Sequence, residues 1–169
     1  MTADEQFMTE AIKEAEIAAA EGNWPMGCVL VLDNEIIARA HNTGYTDANR
    51  MAHAELKALT EAQRLLEANR GKVILYTTYE PCPMCFGAIV INKIKRVVTG
   101  IDLDQSGSLR LQDYLPPFFA QRKFHFEITR GVLADECTAV YYKGRMIKKH
   151  LAAISSTDLN NGKITKYEL

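Results

Sequence analysis

Residues 73–101 read VILYTTYEPCPMCFGAIVINKIKRVVTGI. Val73–Thr78 is rich in β-branched and aromatic residues, which predicts a strand. Pro81 and Pro83 then precede Met84–Ile91, a short apolar stretch, and proline suits the first turn of a helix. Arg96–Ile101 is a second β-prone run. Strand, helix, strand in this order predicts a crossover unit with the two strands parallel.

Working outward, residues 3–21 carry apolar side chains at helical spacing: Phe7, Met8, Ala11, Ile12, Ala15, Ala18 and Ala19. Gly22-Asn23 is a stop signal. Met26–Leu32 and Ile36–Ala40 flank the turn pair Asp33-Asn34, which predicts a hairpin. Residues 42–51 read as a loop. Ala52–Ala68 forms a second amphipathic helix, with Leu56, Leu59, Ala62, Leu65 and Leu66 on one face. Residues 102–123 give no clear pattern and are split by Pro116-Pro117. Phe124–Thr129 is expected as a strand and Asp135–Tyr142 as the start of a helix. The polar stretch 155–169 is expected to be a tail beyond a single domain spanning 1–154. The whole pattern is that of a layered α/β domain.

The 169 residues suit one domain. Hydrophobic residues make up 47% and charged residues 24%, which argues against disorder. The net charge of −1 excludes a global field that would recruit nucleic acid, and leaves local patches open. The longest apolar runs, Cys28–Leu32 and Ala88–Ile91, are too short to cross a bilayer. The start, MTADEQFMTE, lacks the apolar core of a signal peptide, so a cytoplasmic location is expected. Thiols stay reduced there, so the close pair among the four cysteines reads as a metal or redox site.

That pair is Cys82-Pro83-Met84-Cys85 at a predicted helix N-terminus, where backbone amides and the helix dipole favour thiolates. Thiolates are good zinc ligands, and a histidine is the usual third donor where a fourth position stays open for water. His53 stands at the start of the preceding helix, and helices of such a layered fold begin at the same edge of the sheet. Glu55, two residues on, is placed to take a proton from a metal-activated water. Taken alone, the cysteine pair could equally be a redox pair or half of a structural zinc site. H-x-E followed one strand later by P-C-x-x-C is the signature of zinc nucleobase deaminases.

With "AHAELKAL" at 52–59 and "LYTTYEPCPMCFGAI" at 75–89, residues 3–143 resemble the cytidine-deaminase-like superfamily. Both segments are similar to bacterial guanine deaminases and to bacterial tRNA adenosine deaminases. "GSL" at 107–109 and "EITRGVLADEC" at 127–137 are similar to the tRNA enzymes. "IDLDQSGSL" at 101–109 is shorter and more acidic than their usual loop. The resemblance implies a three-layer α/β/α domain with a mixed five-stranded sheet, one zinc per chain and a homodimer. It implies His53, Cys82 and Cys85 as zinc ligands and Glu55 as the proton shuttle. Asn42 matches an asparagine that hydrogen-bonds the base, although a turn role beside Thr43-Gly44 is the alternative. Trp24 could stack on a flat substrate or sit in the core. Asp113 falls near an acidic substrate-handling position of guanine deaminases, with a surface cap as the alternative.

The implied activity is hydrolytic deamination, releasing ammonia. The neutral charge and the acidic 102–104 segment favour a free purine base or nucleoside. The alternative is adenosine in tRNA, converted to inosine. Its phosphates would meet a stripe formed by Lys93, Lys95, Arg96, Lys143, Arg145, Lys148 and Lys149. A zinc-stabilised binding subunit without activity is a third reading, which the presence of Glu55 disfavours.

Overall fold

The computed structural model describes residues 1–103, 107–121 and 125–145. Helix α1 spans Ala3–Ala20, opened by a capping box in which Thr2 and Glu5 exchange side-chain-to-backbone hydrogen bonds. Strands β1 (Gly27–Leu32) and β2 (Glu35–His41) form the expected hairpin. Asp33 and Asn34 both take positive φ, 50° and 64°, which is what a tight two-residue hairpin turn of matching twist requires.

The expected second helix is two: α2 (Ala54–Glu61) and α3 (Gln63–Ala68), separated by Ala62 with ψ near 5°. Strand β3 (Ile74–Tyr79), helix α4 (Pro83–Ile91) and strand β4 (Arg96–Ile101) form the crossover unit, with β3 and β4 parallel. A 3₁₀ segment (Leu109–Tyr114) and the short helix α5 (Pro117–Gln121) follow. The last strand, expected over 124–129, is the three-residue β5 (Glu127–Thr129), parallel to β4. A final helix, α6, covers 134–145. The expected tail, 155–169, lies outside the described residues.

The sheet order is β2-β1-β3-β4-β5, with β1 antiparallel to both neighbours and the rest parallel, so the sheet is mixed as expected. Side chains alternate across it. Leu30, Leu75 and Val97 pack under α2, α3 and α4, against Ala58, Leu59, Leu66, Phe86 and Ile89. Val29, Val31, Tyr76 and Val98 face the opposite layer, against Met8 and Ala11 of α1 and Cys137 of α6. The result is a three-layer α/β/α domain. Gly27 lets α1 come close: a Cβ there would lie 2.0 Å from the Ala11 carbonyl oxygen. Helix α2 follows β2 and α4 follows β3, and these two strands run the same way because each is antiparallel to β1, so both helices begin at the same end of the sheet, where the site lies.

Candidate active site

His53 is the N-cap of α2 and Cys82 the N-cap of α4, both with extended backbone angles. Pro83 at the first helical position sets the turn that carries Cys85 onto the same side as Cys82. The donor atoms of His53, Cys82 and Cys85 all lie within 4.8 Å of one another, the one such group of these residue types among the described residues. His53 Nδ1 is 3.6 Å from each sulfur. A tetrahedral ion with Zn–S of about 2.3 Å and Zn–N of about 2.1 Å sets its nitrogen and sulfur ligands about that far apart. Two sulfurs and one imidazole nitrogen at this spacing therefore fit zinc and leave a fourth position for water.

The electrostatics agree with this. Cys82 is pulled down to about 3: the Cys85 thiol donates to its sulfur, burial opposes the shift, and His53 and the Cys85 backbone N–H add to it. Cys85 is pushed up by that same hydrogen bond, by burial and by Glu55. His53 is raised, chiefly by its hydrogen bond with Cys82. These shifts favour a thiolate at Cys82, the form in which a cysteine ligates a metal.

Glu55 is buried, and burial raises its pKa from the ordinary carboxylate value. Its Oε2 lies 3.6 Å from Cys85 Sγ, while Oε1 accepts from Thr77 Oγ1 at 3.2 Å. The carboxyl group thus turns one oxygen to the trio and one to the sheet.

Beside the trio is a cavity of about 480 Å³ lined by Trp24, Asn42, Gly44, Tyr45, Arg50 and His53. Asn42 is buried and its Oδ1 accepts from the Gly44 amide at 3.0 Å, so it both closes a turn and lines the cavity. Trp24 is half-buried, with its ring nearly parallel to that of Tyr141 at a centroid distance of 6.3 Å and tilted to that of Tyr45 at 6.5 Å. Asp113 is not brought here: it is exposed on the 3₁₀ segment and absent from the cavity lining.

Sequence reasoning missed Tyr45 and Asn23. Asn23 is buried, and its Oδ1 accepts from the Tyr45 and Thr46 amides at 3.0 and 3.1 Å, fixing the loop that carries Tyr45. Its one sequence signal was a turn beside Gly22. Cys28 and Cys137 are buried, as expected of small apolar residues. His41 has two carboxylate neighbours: Glu14 at 2.9 Å and Glu21 at 3.2 Å. Phe119 packs partly buried against the core, and Phe118 is exposed.

Residues 1–101 match the family described as the cytidine and deoxycytidylate deaminase zinc-binding region. A Bacillus subtilis protein named tRNA-specific adenosine deaminase is 43% identical over 140 residues, covering 81% of this chain and 85% of that one. A Streptococcus pyogenes protein of the same name is 35% identical, covering 85% and 86%. A solved structure from a study of A-to-I editing by tRNA:A34 deaminases at the wobble position of transfer RNA is 32% identical. It has a TM-score of 0.66 and covers 80% of this chain and 98% of that one. A Bacillus subtilis guanine deaminase structure is 39% identical over 56% of this chain and 62% of that one, with a TM-score of 0.52. The chain belongs to the cytidine and deoxycytidylate deaminase zinc-binding family, and is a zinc-dependent hydrolytic deaminase.

Proposed function

We propose that the chain deaminates adenosine within tRNA, yielding inosine and ammonia. Of the two substrates the sequence leaves open, the RNA is favoured over a free purine because relatives named tRNA-specific adenosine deaminase match more than four-fifths of the chain. The Bacillus subtilis guanine deaminase structure matches 56% of it. The observation that carries the chemistry is the convergence of two cysteines, a histidine and a buried carboxylate beside a cavity with a carboxamide and an indole.

His53, Cys82 and Cys85 hold the metal. Zinc, when bound, supplies a water acidified to near neutrality. Glu55 takes one proton of the attacking water at Oε2 and delivers it to the ring nitrogen, then carries the second water proton to the departing ammonia. Its raised pKa suits it to hold each proton between uptake and delivery. Asn42 hydrogen-bonds the base edge through its carboxamide, and Trp24 stacks on the base. The walls around Glu55 exclude bulk water, so its proton is not lost to solvent.

The enzyme acts as a cytoplasmic homodimer, with the exposed Met84 and Ile91 of α4 and Phe118 of α5 as interface residues. Light scattering at micromolar concentration that returned the 18.9 kDa single-chain mass would remove the dimer. No helix among the described residues is long and apolar enough to cross a membrane. The substrate is tested by offering zinc-loaded protein an adenosine anticodon stem-loop, free adenosine, adenine and guanine. Inosine in the stem-loop with no ammonia from the small molecules is expected. Ammonia from guanine with an untouched stem-loop would refute the RNA reading.

A further inference from the structure

Thr77 sits in the middle of β3, fully buried, on the sheet face that carries α2 and α4. Its neighbours across the ladder are Cys28 of β1 and Thr99 of β4. Its hydroxyl is 3.2 Å from Glu55 Oε1 and 3.0 Å from the Tyr79 carbonyl oxygen. A hydroxyl has one proton and can serve one of these acceptors at a time.

Glu55 hangs from the first turn of α2, and its carboxyl group can turn about the last side-chain torsion, which is broad and roughly two-fold. A carboxylate free to turn would present either oxygen, or its edge, to the reacting groups. A donor fixed in the rigid centre of the sheet removes that freedom. It holds Oε1 and leaves Oε2, on the side of Cys85, as the oxygen that exchanges protons. Correct placement of a reacting group is worth far more than its intrinsic strength.

We propose that Thr77 is a positioning residue for the deamination, orienting Glu55 through Oε1 so that Oε2 faces the reaction. When Oε2 gains its proton, Oε1 remains an acceptor, so the same hydrogen bond serves both states of Glu55. The Tyr79 carbonyl gives the hydroxyl an alternative acceptor whenever Glu55 swings away, so neither polar group is stranded in the core. This inference rests on the reading of Glu55 as the proton carrier.

The test uses the zinc-loaded full chain, its measured zinc content, and turnover of an adenosine stem-loop by Thr77→Val, Thr77→Ser, Thr99→Val and Glu55→Gln. Thr99→Val is the control, because it removes an equally buried hydroxyl one strand away that has no hydrogen-bond partner among the described residues. Thr77→Val is expected to lower kcat about ten- to a hundredfold, the range for removing a hydrogen bond to a charged group, with KM and zinc content within about twofold. Thr77→Ser restores kcat, and Thr99→Val leaves it unchanged. If Thr77→Val does not fold, Thr77→Ser is compared with Thr77→Ala: activity kept by Ser and abolished by Ala supports the inference, and equal impairment overturns it. Thr77→Val at parental kcat beside an inactive Glu55→Gln overturns the inference alone. An active Glu55→Gln overturns the proton-carrier reading and takes this inference with it.

Discussion

A Cβ added to Gly107 would lie 2.1 Å from the carboxylate carbon and both oxygens of Glu80. That carboxylate is fully buried. It accepts from the Leu103 amide at 2.9 Å and the Leu109 amide at 3.2 Å, and pairs with Arg130 at 3.2 Å. Arg130 is itself held by Asp102 at 2.8 Å. Glu80 therefore ties the segment after β4 to the strand end that leads into Cys82. Gly107→Ala would push the carboxylate off at least one of its donors and strand a buried group, at a cost of about 1–3 kcal/mol. In a domain of this length each kcal/mol lowers Tm by roughly 2–4 °C. Thermal melts of the zinc-loaded protein should show that drop. An unchanged Tm would mean that the carboxylate can relocate freely.

Helix α1 is fastened at its start by Asp4, which meets Arg96 at the head of β4 at 2.7 Å and the Tyr76 hydroxyl at 2.8 Å. Burial pushes the Asp4 carboxyl up, but the hydrogen bonds from Arg96 and Tyr76 outweigh it, and its pKa is lowered from the ordinary 3.8. A carboxyl lowered in the folded state adds stability above its unfolded pKa and loses it as pH falls through the folded value. Asp4→Asn should therefore lower stability at pH 7 by about 1 kcal/mol or less, as expected of a partly exposed pair, and Tm with it. The gap between variant and parent should close as pH falls below 3.8, whatever happens to the metal, since both proteins lose it together. A gap constant with pH would show that packing, not charge, fastens α1. None of this pairing was legible in sequence, because it joins residues 92 positions apart through a register set by the sheet. What was legible is local. The β3-α4-β4 unit follows from its β-branched runs and prolines, and the hairpin from Asp33-Asn34. His53, Glu55, Cys82 and Cys85 follow from spacing near helix starts. The break at Ala62 was hidden because the apolar spacing runs straight across it: Ala62 still donates to the Ala58 carbonyl, and Leu66 to that of Ala62. Thr77 was hidden because only the packing of α2 on β3 shows which hydroxyl meets Glu55.

The distribution of charge over the whole molecule corrects the expected basic stripe. Arg96 is engaged by Asp4. Lys93 and Lys95 stand before the start of β4, whereas Cys82 follows the end of β3, parallel to it. A six-residue strand separates the two ends by about 20 Å, at roughly 3.3 Å per residue. The first cluster therefore lies at the edge of the sheet remote from the site. Lys148 and Lys149 fall outside the described residues. Of the α6 cations, Arg145 lies near the cavity: it is exposed, and its guanidinium sits 5.9 Å over the ring of Tyr141, which stacks with Trp24, whereas Lys143 lines a separate hollow with Glu16 and Ala19. RNA phosphates running past the cavity would meet α6 and the exposed Arg50 at the cavity lining. The expected outcome is asymmetric. Reversing Lys93 and Lys95 to Glu should leave KM for the stem-loop within about twofold, a bound set by their remote position. Reversing Arg145 to Glu should raise KM and flatten its salt dependence by about 0.7 in log–log slope for each phosphate no longer neutralised. Steady-state kinetics over a salt series measure both. If the Lys93–Lys95 reversal proved the more damaging, the RNA would have to approach across the far edge of the sheet, which a single nucleotide reaching the trio could not span.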